Sequence, residues 1–382
     1  MPFSTRVAWI YPISKISFYI QPVLSEFTKL FPQTKFFTGD WPGYVPGCEN
    51  TFDVEVVGKG KFVRLQKSKT GYEQGFHLLS LGIINRLLAF KPDVIFINGM
   101  SPWTLLVLLL KPLANWKVIL IYSGSSPSVD FTEAKLRLAV RKQMAGAIDA
   151  AITNSLGGKN YLTETLKVSE DKIFARPYQI PNRTTLLEPL EAAPVDFSSL
   201  RKTTFFLVGQ AVYRKGLSHL LDSCMILKER GITDYSVIIG GDGEQKLEFE
   251  ARTKSLGLSD QVKWVGWVNY GHLGAYFDNT DVFVFPTLED IWGMVALEAM
   301  LFGKPVLCSK WAGAKELVRE GENGFVFDPY TPEELANHML YFIQNPEKIQ
   351  WMGEQSRKTI AFHTPENAAE HLSKVVSFCM EE

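Results

Sequence analysis

A chain of 382 residues is long enough for two domains of ordinary size, and with 46% hydrophobic and 21% charged residues it buries a core and falls outside the disordered class. Its four cysteines (Cys48, Cys224, Cys308, Cys379) are widely separated and form no Cys-x-x-Cys pair, which excludes a disulfide framework or a cysteine-held metal and points to a reducing, cytoplasmic compartment. The net charge of −1 hides an asymmetry: residues 1–190 sum to +8 and residues 191–382 to −9, so the two halves differ in what they attract.

Residues 6–11 read as a first strand closed by Pro12, entered directly and without a signal-peptide pattern. Residues 18–31 read as an amphipathic helix stopped by Pro32. Residues 39–75 read as irregular. Within them, residues 58–69 alternate cations with apolar side chains, which suits either a lysine-guarded hairpin edge or contact with anionic lipid headgroups. No nucleic-acid-binding motif accompanies these charges. A helix is predicted over 76–90, a strand over 92–99, a helix opened by Ser101-Pro102 whose leucines belong to a core, and a strand over 118–122. The loop after that strand, Ser123-Gly124-Ser125-Ser126, is polar, and a serine there can hydrogen-bond a sugar but is a poor base. Helix over 141–147, strand over 151–155 and a proline-rich linker over 181–198 complete the first half. No apolar run reaches the length of a membrane span.

The second half opens on a strand ending at Gly209, followed by Gln210, a loop carrying Arg214-Lys215-Gly216 and a helix from Leu217. A strand and glycine turn over 237–243, a helix to Gly257 and a strand ending near Trp267 and Val268 come next. Then an apolar run over 282–285 is stopped by Pro286, Gly293 precedes a helix-forming run over 294–301, and Gly303-Lys304-Pro305 ends it before the next strand. Strand, loop, helix, strand is the unit of a parallel α/β sheet, which binds ligands at the carboxyl ends of its strands. The N–H groups of Gly293, Met294 and Val295 at a helix start suit a phosphate. Asp290 precedes this helix and Glu298 lies two turns along it. Eight residues at helical rise cover roughly 12 Å, the length of a nucleotide sugar. Thr331 is placed to cap a late helix with Pro332 at its first position, and a last helix starts near Pro365.

The spacing of Asp290, Glu298-Ala299-Met300 and Gly303-Lys304-Pro305-Val306 resembles the signature of retaining GT-B glycosyltransferases of family 4, the glycosyl transferases group 1. The loop from Gly209 to Lys215 is similar to that family's diphosphate-binding loop, with Gln210 where an arginine is usual, and Trp267-Val268 resembles its base-binding edge. The resemblance departs in the first half. Residues 13–17 replace a Gly-Gly loop, leaving Ser14 as an acceptor-side candidate, and Ser123 or Gly124 stands where a histidine is common.

That resemblance implies an α/β fold of GT-B type: two doubly wound Rossmann-like domains facing across a cleft. Residues 1–185 would form the acceptor-side domain, with 360–382 crossing back to it, and residues 199–359 the nucleotide-sugar domain. It implies a hexosyl transfer from a nucleotide-diphosphate sugar, UDP-glucose first, to a hydroxyl on a lipid, polysaccharide or small molecule. Lys215 and Arg214 would neutralise the leaving diphosphate, Asp290 orient the hexose and Glu298 hold the ribose. No metal and no cofactor is expected, nor a nucleic-acid partner, and the basic first half allows peripheral contact with an anionic membrane. Two alternatives stay open: a GT-B nucleotide-sugar epimerase, and a non-catalytic sugar-nucleotide-binding subunit of a transferase complex.

Overall fold

The computed structural model describes residues 4–12, 19–58, 61–66, 72, 74–78, 80–187 and 196–381. The chain divides into two compact units, one formed by Met1–Ser68, Tyr72–Ile180 and His363–Glu382, the other by Pro181–Phe362.

The first unit alternates strands β1 (Val7–Tyr11), β2 (Thr34–Thr38), β3 (Asp53–Val56), β4 (Lys61–Gln66), β5 (Gln74–Leu78), β6 (Val94–Asn98), β7 (Lys117–Ile121), β8 (Ala150–Thr153) and β9 (Ile173–Ala175) with helices. These are α1 (Gln21–Leu30), α2 (Gly82–Phe90), α3 (Pro102–Ala114), α4 (Pro127–Asp130), α5 (Lys135–Ala147) and α6 (Leu156–Asn160). Seven strands form one sheet in the order β3-β2-β1-β6-β7-β8-β9, every neighbouring pair parallel. The central strand β1 is buried throughout, as strands covered on both faces are. Its side chains alternate between two cores. Val7, Trp9 and Tyr11 join Phe27 and Phe96, with Trp9 stacked on Phe96 at a ring separation of 4.2 Å, whereas Ala8 and Ile10 join Ile83 and Val107 on the other face.

The second unit contains β10 (Thr204–Val208), α7 (Leu217–Glu229), β11 (Ser236–Gly240), α8 (Lys246–Ser255), β12 (Val262–Gly266), α9 (Leu273–Asp278), β13 (Val282–Phe285), α10 (Met294–Leu301), β14 (Val306–Ser309), β15 (Gly324–Phe327), α11 (Pro332–Gln344) and α12 (Glu347–Ile360). Its six strands run parallel in the order β12-β11-β10-β13-β14-β15. Both units are therefore doubly wound α/β sheets of Rossmann type, as expected. The final helix, α13 (Pro365–Glu381), belongs to the first unit, where Ala368, Leu372, Val375, Val376 and Cys379 pack with α1 in the core that holds Trp9. All four cysteines are buried thiols. No helix of the described residues is long and apolar enough to cross a membrane.

Several elements differ from the sequence reading. The helix expected over 76–90 is a strand and a helix: β5 pairs antiparallel with β4, and α2 starts only at Gly82. A short apolar run does not by itself distinguish strand from helix, and the partner strand decides it. The segment expected to be irregular also contributes β3, which pairs with β2 and extends the main sheet. Helix α1 begins at Gln21 rather than at 18, with Pro22 in its first turn. Helix α5 begins six residues earlier than expected, at Lys135. The Thr331 hydroxyl does not cap α11. Instead Glu334 accepts from the Asp328 N–H at 2.8 Å, so an acid of the first turn closes the helix entry. Ser14, together with residues 13–18, 59–60 and 67–69, lies outside the described residues.

Candidate active site

In the second sheet the chain order reverses between β10 and β13, which are neighbours. The loops leaving the carboxyl ends of these two strands flank the point where open α/β sheets accept ligands. The loop after β10 carries Arg214 and Lys215 in a single 3-10 turn closed by Gly216. Gly216 has a φ of 70°, and a Cβ there would stand 1.8 Å from the carbonyl oxygen of Pro286, so only glycine lets this turn lie against the end of β13. The hydroxyl of Thr287 donates to the carbonyls of Arg214 and Glu289, and the Leu288 N–H donates to the Arg214 carbonyl at 2.8 Å, tying the two loops together.

The charges converge on Asp290. Lys215 Nζ donates to Asp290 Oδ2 at 2.7 Å, and Arg214 Nη1 lies 3.6 Å from the same oxygen while donating to the Glu289 carbonyl at 2.8 Å. The other carboxylate oxygen accepts from the Trp292 N–H, and the Asp290 backbone bridges to Ala312. All three side chains are nearly buried, at 11–17% exposure. Burial alone would push the Asp290 carboxyl up, but Lys215 and Arg214 outweigh it and hold the group below the usual aspartate range. Lys215 also sits 5.3 Å over the Phe285 ring.

Gly293 caps the start of α10 with a φ of 100°, and a Cβ there would meet the Phe285 ring at 2.6 Å, so the glycine brings the first turn of α10 against β13. Met294 is buried at this first turn, beside a half-buried Val295. Further along α10, Glu298 is buried. Tyr270 supplies a hydrogen bond to its carboxyl, and Oε1 has no hydrogen-bond partner among the described residues. Burial pushes this carboxyl up to about 7 against the Tyr270 bond. An orphaned buried acceptor is a defect that a ligand hydroxyl would repair.

The remaining candidates are placed as follows. Gly209 lies along the Lys215 side chain, its Cβ position 3.8 Å from Cδ and Cε. Gln210 is exposed beside it. Val268 packs against Gly240 at the end of β11, whereas Trp267 is 70% exposed and donates to Asn269 at 2.9 Å. Ser123 belongs to the first unit. Its hydroxyl is 3.1 Å from that of Tyr178, and its carbonyl accepts from Asn154. Ser14 is outside the described residues.

Residues 194–359 match the family model described as Glycosyl transferases group 1. Among curated proteins, the chain is similar to an uncharacterized glycosyltransferase of Haemophilus influenzae, 27% identical over 197 residues that make up 50% of this chain and 54% of that protein. It is also similar to the alpha-D-kanosaminyltransferase of Streptomyces kanamyceticus, 26% identical over 149 residues, 39% of this chain and 38% of that one. The chain thus spans about half or less of the length of these relatives. Among solved structures, Alr3699/HepE of Anabaena in complex with UDP superposes with a TM-score of 0.76 at 19% identity, over 98% of this chain and 100% of that one. Sucrose-phosphate synthase from Thermosynechococcus elongatus superposes with a TM-score of 0.72 at 18% identity, over 98% of both chains. At such identities the likeness shows the fold, which is that of GT-B glycosyltransferase structures. The family-model match and the glycosyltransferase relatives support the group 1 family.

Within the matched residues, three neighbours of the site are not singled out by the sequence: Tyr270 beside Glu298, Thr287 between the loops, and Phe285 beneath Lys215. Thr287 and Phe285 directly border Pro286 and carry the signal of the strand end. Tyr270 comes from a separate loop with no spacing to mark it.

Proposed function

We propose that the protein is a retaining glycosyltransferase that moves a hexose from a nucleotide-diphosphate sugar, UDP-glucose as first candidate, to an acceptor hydroxyl. The observation that carries this reading is the convergence of Lys215 and Arg214 on one point, 2.7 Å and 3.6 Å from Asp290, at the switch point of the second sheet and beside the start of α10. Two nearly buried cations and a helix start make a place for a pyrophosphate. They stabilise the charge that develops on the diphosphate as the bond to the sugar anomeric carbon breaks. Asp290 then turns from its cations toward hexose hydroxyls, and the Glu298 carboxylate accepts from the ribose. The acceptor oxygen bonds the anomeric carbon on the face the diphosphate leaves, and its proton passes to a diphosphate oxygen, so the chain itself supplies electrostatics and orientation rather than a base. The family match gives the epimerase and the non-catalytic subunit no support.

Thermal shift with UDP, GDP, ADP and their sugars tests the first step. A ligand at 100 times its dissociation constant adds about 2.7 kcal/mol of stability. UDP and UDP-glucose are expected to stabilise the protein most. Slow hydrolysis of UDP-glucose in water, lost in Glu298→Ala, tests the second. A protein that binds none of the three nucleotides refutes the reading of the site, and one that binds UDP but never turns over a donor refutes the transferase.

A further inference from the structure

One face of the first unit is built unlike the rest of the molecule. Helices α2, α3 and α5 cover the same side of the first sheet: Ile83, Trp103, Val107 and Met144 pack into one core with Ile10, Ile97 and Leu120. Helix α3, Pro102–Ala114, is apolar nearly all round, with Lys111 its one charged residue. Such a helix is ordinarily buried all round. This one is buried on one side. Pro102, Leu105, Leu109, Pro112 and Leu113 are exposed at intervals of three, four, three and one, a single outward stripe, and Leu109 and Leu113 are 64% and 86% exposed. The neighbouring helices also expose apolar side chains, Leu88 on α2 and Leu136 and Val140 on α5. Scattered exposed leucines are ordinary, but a contiguous stripe marks an interaction surface.

The charge that these three helices themselves carry is of one sign. Helices α2, α3 and α5 contain Arg86, Lys111, Lys135, Arg137, Arg141 and Lys142, and no acid. Arg86, Lys135 and Lys142 are exposed, as is Lys91 just after α2. The acids nearby come from elsewhere: Glu55 pairs with Arg86 at 3.1 Å, Asp149 pairs with Lys111 at 2.7 Å, and Glu133 is exposed before α5.

We propose that this face seats on the surface of an anionic lipid bilayer, the α3 leucines entering the boundary between headgroups and acyl chains and the exposed cations meeting lipid phosphates. An apolar stripe fringed by Lys and Arg is the pattern of an interfacial helix. A second copy fits less well, since a two-fold contact through this face would set cations against cations. Thirteen residues reach only about 20 Å, too short to span, so the contact is peripheral. The inference concerns the first unit alone and stands apart from the reading of the site in the second.

The test is flotation of the whole protein with vesicles of phosphatidylcholine alone and of equimolar phosphatidylcholine and phosphatidylglycerol, at low and high salt. Wild-type protein partitions about tenfold or more in favour of the anionic vesicles, and high salt weakens this. The double variant Leu109→Gln/Leu113→Gln, changed at exposed positions and checked by thermal melting, loses about tenfold of that partition. Lys135→Gln/Lys142→Gln also binds less, with a shallower salt dependence, while Leu247→Gln on the second unit binds as wild type. Three results overturn the proposal: no preference for anionic vesicles, undiminished binding by the leucine double variant, or a wild-type dimer that this variant makes monomeric while vesicles bind neither.

Discussion

Lys215 donates to the Asp290 carboxylate through the same ammonium group that is proposed to meet a diphosphate. Two substitutions separate the roles. Lys215→Ala removes a charge-assisted hydrogen bond of about 1.5–3 kcal/mol, so UDP should bind about ten- to a hundredfold more weakly by calorimetry. Asp290→Asn removes the competing anion. UDP affinity should stay or rise while sugar transfer falls, and a loss of UDP binding equal to that of Lys215→Ala would contradict this division of labour. Glu298 gives a pH dependence of defined sign. Its carboxyl titrates near 7 in the folded chain and near 4.5 otherwise. Between these values the unfolded chain has released a proton that the folded one keeps, so stability falls as pH rises through this window and levels off above 7. Glu298→Gln should flatten that slope in urea titrations at pH 5 and pH 8. Because ribose hydroxyls favour the ionised carboxylate, UDP should gain affinity over the same range more steeply in the wild type than in the variant.

At the scale of elements, the candidate site is two loops held by two glycines. Gly216→Ala sets a methyl group against the Pro286 carbonyl at a positive φ, so the turn must move. It should cost upwards of about 1 kcal/mol in urea midpoint and weaken UDP binding together, because the cations travel with the turn. This part of the chain was legible because its signals are local and mutually consistent: an apolar run cut by Pro286, Gly293 before a helix-forming run, Gly303 and Pro305 at its end. The strand β13 and helix α10 fall where these residues put them. Where the signal was tertiary, the reading went astray. Residues 74–78 are a strand only because β4 runs beside them, and Val54 marks β3 only once β2 is there to pair with it. The ion pair of Asp290 with Lys215 joins residues 75 positions apart, and nothing in either stretch announces that the acid and the cation meet.

At the scale of the molecule, the family match lies in residues 194–359, and the first unit contributes its strand rhythm rather than a motif. That unit is completed by α13, whose buried face meets α1 in the same core as Trp9. Truncation after Phe362 should therefore loosen the first unit while the second keeps its own transition. Hydrogen exchange would show protection lost in α1 and β1 and retained in β10 and β13, and uniform loss would count against separate cores. Leu372→Ala, a large-to-small change at a fully buried position, should cost about 2–5 kcal/mol in the first unit. The placement of α13 also bears on how the chain is made. A ribosome delivers the first sheet well before its covering helix, with the whole second unit in between, so the second unit can finish folding while the first still shows the greasy flank of α1 to the cell.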